Sequence, residues 1–163
     1  MKTLLLLRHA KSSWDDTSLP DFERPLNERG RRAAPLIGEL LSKQNLRPEL
    51  VICSPAKRTR ETIALVLKAA GFETELRYDA GIYEASAEGL TEVISRIETD
   101  KNDVMLVGHN PGMENLLERL TGKDVRMPTA ALARIILNCN TWNEAGEKGE
   151  LEWLVNAKEL AKR

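Results

Sequence analysis

Residues 3–11 read TLLLLRHAK, and the junction inside that stretch decides the fold. Thr3 to Leu7 is an unbroken apolar run, the pattern of a strand covered on both faces, as strands of parallel sheets are. Such a strand ordinarily gives way to a turn residue. This one ends in Arg8 and His9, a cation and an imidazole side by side. Ligands of open α/β sheets gather at the carboxyl ends of the strands, so a candidate site is marked where the first strand stops.

Working outward, the elements alternate. Residues 11–26 (KSSWDDTSLPDFERPL) carry no periodicity and are expected to form a loop. Asn27 is placed to cap a helix with Ala33, Leu36, Ile37, Leu40 and Leu41 on one face. Leu50 to Cys53 reads as a second strand. Ser54-Pro55 marks its end and a helix start, with the proline in the first turn and Arg58 one turn in. That helix turns Ile63, Val66, Leu67 and Ala70 inward and stops at Gly71. Glu73 to Arg77 fits a short strand. Ser86 caps a third helix with Leu90, Val93, Ile94 and Ile97 inward. Val104 to Val107 is another buried strand, followed by Gly108-His109-Asn110-Pro111 and a fourth helix that stops at Gly122. Leu132 to Asn138 and Glu150 to Val155 read as two strands joined through AGEKG and paired antiparallel. This order predicts a three-layer αβα sandwich with a mainly parallel central sheet and an antiparallel edge. One domain over residues 1–163 is expected.

Bulk composition limits the partners. Lys plus Arg (24) and Asp plus Glu (25) nearly cancel, leaving a net charge of -1. General attraction to nucleic acid or to an anionic membrane is therefore not expected. The leucine run is shorter than the apolar core of a secretory signal, and no stretch approaches a membrane span. Cys53 and Cys139, each in an apolar run, read as reduced and structural in a cytoplasmic protein. No long exposed apolar face stands out, so a monomer is expected.

Three segments converge on the carboxyl edge of the predicted sheet: Arg8-His9, Ser54-Pro55 with Arg58, and His109. Both histidines of the chain thus occupy the same kind of position, two residues past a strand. Two arginines and two helix N-termini suit a tetrahedral anion, since guanidinium matches two phosphate oxygens and free helix N–H groups add partial positive charge. An imidazole among such groups has its cationic form disfavoured and stays nucleophilic. Attack on phosphorus would give a phosphohistidine intermediate that water then hydrolyses, with His109 and the arginines stabilising charge on the phosphoryl oxygens.

The set LLLLRHAKS, DFERPLNERG, SPAKRTRET and VGHNPG, in this order and spacing, resembles the histidine phosphatase superfamily, and within it the short, SixA-type members. The resemblance runs over essentially the whole chain and implies a phosphoglycerate mutase-like fold. It implies His9 as the phosphorylated nucleophile, with Arg8, Arg58 and His109 completing the phosphate pocket and Ser54 and Asn110 lining it. Ala10 stands where the superfamily more often has glycine. Larger members take a proton-donating carboxylate from the region before the third helix. Here YDAGIYEAS offers Asp79 and Glu84, the first loop offers Asp15 and Asp16, and Glu84 is favoured. A phosphohistidine substrate asks less of such a donor, because imidazole leaves more readily than an alkoxide.

Other readings fit less well. Metal binding would want a third ligand at recognisable spacing beside the two histidines, so no metal and no cofactor are expected. A cysteine phosphatase loop would separate Cys53 from its arginine by five residues, but only four lie before Arg58. Arg24 is read as a loop anchor that could reach the substrate rim, and Trp14 as core cover over its loop. Between Arg58 and His109 little sequence is left for a lid. An open pocket suits a phosphohistidine-containing protein, with a small phosphate ester or a non-catalytic phosphate-binding role as alternatives.

Overall fold

The computed structural model describes residues 1–147 and 149–162. Lys148, within the expected AGEKG connection, and Arg163 lie outside the described residues. Six strands, β1 (Lys2–Arg8), β2 (Leu50–Cys53), β3 (Glu75–Tyr78), β4 (Asp103–Gly108), β5 (Ala131–Leu137) and β6 (Gly149–Asn156), form one sheet in the order β3-β2-β4-β1-β5-β6. The first four run parallel, and β5 and β6 add the antiparallel edge. Helices α1 (Glu28–Lys43), α2 (Lys57–Ala70), α3 (Ala87–Ser95), α4 (Gly112–Thr121) and α5 (Ala157–Leu160) cover it.

The leucine run shows why three layers form. Side chains alternate across a strand, so Leu4 and Leu6 enter the core beneath α3 and α4, while Leu5 and Leu7 enter the core beneath α1 and α2. All four are buried, each contributing about 2 kcal/mol relative to exposure. Asn27 accepts from the Gly30 N–H and Ser86 from the Gly89 N–H, the caps read from the sequence. Gly71 and Gly122 end α2 and α4 in the left-handed conformation. No helix among the described residues is long and apolar enough to cross a membrane.

Two expectations need correction. Pro55 lies outside α2, whose N-cap is Ala56, so Arg58 is the second helical residue rather than one turn in. Trp14 is not core cover: it is 70% exposed, and its ring stacks on the Arg24 guanidinium, 3.2 Å from centroid to carbon. Trp142 is buried in a single 3-10 turn (Trp142–Glu144) between β5 and β6.

Helices α1 and α2 meet through Gly38. A Cβ there would stand 2.2 Å from the Val66 carbonyl oxygen and 2.8 Å from the Ala69 Cβ. The first neighbour is backbone and can yield only by moving the helix. Gly38→Ala is therefore expected to destabilise the fold by about 2 kcal/mol, despite alanine's better helix propensity, as measured by urea unfolding.

Candidate active site

Parallel pairing of β1 with β4 matches Arg8 with Gly108, so the next residue on each strand is a histidine. The His9 N–H donates to the Gly108 carbonyl at 3.1 Å, and the two imidazole centroids lie 5.3 Å apart. The Ala130 N–H donates to the His9 carbonyl. The Ala10 N–H donates to Thr62 Oγ1, which in turn donates to the Arg58 carbonyl. The histidine is thus tied to β4, to the segment before β5 and to α2.

His9 Nδ1 lies 2.7 Å from the Ala10 carbonyl oxygen. A carbonyl can only accept, so Nδ1 carries the proton and the neutral ring presents Nε2 as a lone pair. Burial holds the His9 pKa down at about 3, with the neighbouring His109, Arg58 and Arg8 adding to it against the opposing bond to Ala10. His109 is lowered to about 4, by burial first and then by Arg58 and Arg8, with Asp21 opposing. Its Nε2 is 2.7 Å from Ser54 Oγ. Its Nδ1 is buried without a hydrogen-bond partner among the described residues, as is Arg8 Nε.

Arg58 is nearly buried and gives two bonds to one residue, to the Asp21 carbonyl at 2.8 Å and to Asp21 Oδ2 at 3.0 Å. The same Oδ2 accepts from the Tyr83 hydroxyl at 2.6 Å, and Tyr83 sets its ring edge-to-face with His109. Arg24 donates to Asp21 Oδ1, Ser12 Oγ and the Ser13 carbonyl, so it anchors the loop from within. Partial burial disfavours ionised Asp21, yet the donors from Tyr83, Arg24 and Arg58 outweigh it and hold the carboxyl at about 2. Burial and the bond to Asp21 raise the Tyr83 hydroxyl to about 12.

The site is therefore two neutral imidazoles beside buried Arg58 and half-buried Arg8, a setting for a tetrahedral anion. The family description "Histidine phosphatase superfamily (branch 1)" matches residues 4–93. The chain belongs to the histidine phosphatase superfamily. Among relatives, an uncharacterised chloroplastic protein of Arabidopsis thaliana is 36% identical over 153 residues, covering 88% of this chain and 70% of its own length. A candidate phosphohistidine phosphatase SixA from Agrobacterium tumefaciens is 32% identical, with a TM-score of 0.82 over 94% of this chain and 97% of that one. A protein histidine phosphatase SixA in complex with tungstate shares the fold at a TM-score of 0.85 and 19% identity, over 97% of this chain and 99% of that one.

Of the residues singled out from the sequence, the structure brings His9, His109, Ser54, Arg8 and Arg58 to one edge. Asn110 is used differently. Its amide donates to the Met127 carbonyl and its oxygen accepts from the Glu114 N–H, while Arg8 also donates to the Met127 carbonyl. Asn110 therefore supports the segment that holds Arg8. The proton-donor candidates do not converge. Asp79 caps the turn at Gly81 and pairs with Arg96, Asp16 accepts from Ser18, and Asp15 is exposed. Glu84 is exposed at a left-handed φ of 56°. Asp21 and Tyr83, which sequence reasoning missed, are the groups that reach the cluster. Burial pushes the Cys53 thiol up to about 12, which removes thiolate chemistry. Among the described residues no group of three or more His, Cys, Asp or Glu could hold a metal ion.

Because both imidazole pKa values fall below the ordinary 6.5, protonation lies on the acid side of neutrality. The proton NMR signals of the two histidines are expected to stay constant from about pH 8 to about pH 5 and to move only below. An inflection near the ordinary value in either signal would contradict the burial described.

Proposed function

We propose that this chain is a phosphatase that forms a phosphohistidine at His9 and removes phosphoryl groups from phosphohistidine of a protein. The observation that carries the reading is the bond from His9 Nδ1–H to the Ala10 carbonyl, which leaves Nε2 unprotonated beside two arginines and His109. Nε2 forms the bond to phosphorus as the bond to the leaving imidazole breaks, and that imidazole takes a proton from solvent. Arg8 and Arg58 neutralise charge on the phosphoryl oxygens, and Ser54 fixes the neutral His109 ring beside them. Water then attacks phosphorus, releasing inorganic phosphate and returning the electron pair to Nε2.

Two observations favour a P–N substrate. Asp21, the carboxylate bonded to Arg58 and Tyr83, is held ionised by its donors and makes a poor acid. Glu84 is exposed, with no hydrogen bond or ion pair among the described residues to aim it. A leaving group that needs little acid help suits both. The likeness to SixA phosphatases supports the same choice.

The test compares wild type with His9→Ala on a phosphohistidine protein and on a generic phosphomonoester. Wild type is expected to turn over the phosphoprotein and to trap an acid-labile, base-stable phosphoryl label, with activity falling by about 10³-fold or more in the variant. Rapid phosphomonoester turnover with the phosphoprotein untouched would instead identify a metabolite phosphatase. Turnover of neither would leave a phosphate-binding module.

A further inference from the structure

Beside the phosphate pocket runs a trough that the chemistry above does not use. Its cavity of about 250 Å³ lies between the residues after β1, one face of α1, α5 and Thr129. Arg29, Arg32, Ala33 and Leu36 recur at helical spacing on α1, Lys158 comes from α5, and Lys11 comes from the segment two residues past His9. Four of the lining residues are cations and none is a carboxylate. Thr129 joins the trough to the active site, since the next residue donates its N–H to the His9 carbonyl.

A second hollow of about 400 Å³ shares Lys11, Arg29 and Arg32 with the first and extends to Trp14. It includes Glu28, which pairs with Arg32, and Asp15. Lys11, Arg29 and Lys158 have no carboxylate within ion-pair distance among the described residues. In a chain of net charge -1, such a concentration of cations is local. All four cations of the first hollow are exposed, so they do not converge as donors on one small anion would require. Spread over three elements around a floor of Ala33, Leu36 and Ala157, they offer charge at a rim and apolar contact at the centre, the arrangement of a protein interface.

We propose that this trough docks the carboxylate-rich face of the phosphorylated protein whose phosphoryl group enters the His9 pocket. The proposal rests on the phosphoprotein reading above and names the partner's chemistry: acidic residues around its phosphorylated histidine. Docking there brings substrate alongside Lys11 and steers an acidic partner in preference to a neutral one.

The experiment measures binding of a fluorescein-labelled glutamate-rich peptide and its glutamine counterpart at low salt, for wild type and for the double variant Arg29→Glu, Lys158→Glu. Turnover of phosphoramidate, a small P–N compound, is followed in parallel. Both substitutions sit on exposed helix surface, and unchanged phosphoramidate turnover reports an intact fold. The glutamate peptide is expected to bind wild type at least about tenfold more tightly than the glutamine peptide, and the preference to vanish in the variant. Equal binding of the two peptides, or a preference that survives in the variant, would overturn the docking site. Tighter binding to phosphatidylglycerol vesicles than to the peptide would overturn it too, in favour of a lipid surface. Peptide binding as expected, with no phosphoramidate turnover by wild type, would support the docking surface and count against the catalytic reading alone.

Discussion

The pairing of β1 with β4 is the constraint from which the site follows. The two strands run parallel and in register from Thr3 with Asp103 to Arg8 with Gly108, so the first residues beyond them emerge side by side. A slip of one residue would turn every side chain to the opposite face. Leu4 and Leu6 would then exchange cores with Leu5 and Leu7, with two differently shaped helix layers to accommodate them. The hydrophobic core thereby enforces the distance between the imidazoles.

The site itself works against stability. Two arginines and two imidazoles are withdrawn from water, and Arg8 Nε and His109 Nδ1 are left without partners among the described residues. Unsatisfied buried groups cost about 1–3 kcal/mol each. Asp21 offsets part of this for Arg58 and Arg24, and it does so from a half-exposed position. Holding the imidazoles neutral among cations is the same physics seen from the other side: burial that penalises charge also keeps a ring nitrogen's lone pair unprotonated. A protein chosen for stability alone would not place these groups together.

Strands, helix caps and stops were legible because each is written locally. A continuous leucine run, Asn27 and Ser86 before apolar faces, and glycines at helix ends act within a few residues. The two histidines were legible as a pair because each follows a strand. What escaped was set by contacts between distant segments. Residues 11–26 show no period because long-range bonds fix them: Asp21 meets Arg58 at a separation of 37 positions and Tyr83 at 62. Asn110 faces backbone because the segment at Met127 folds over it, which no local pattern announces. Trp14 lies on Arg24 rather than in the core because the arginine, being anchored from three sides, offers a flat apolar face.

A crystal structure with vanadate, which adopts the trigonal bipyramidal geometry of phosphoryl transfer, tests the account most directly. Vanadium is expected within bonding distance of His9 Nε2, with Arg8, Arg58 and His109 donating to its equatorial oxygens. Vanadate bound away from His9, or bound there through Nδ1 with the Ala10 contact broken, would contradict it.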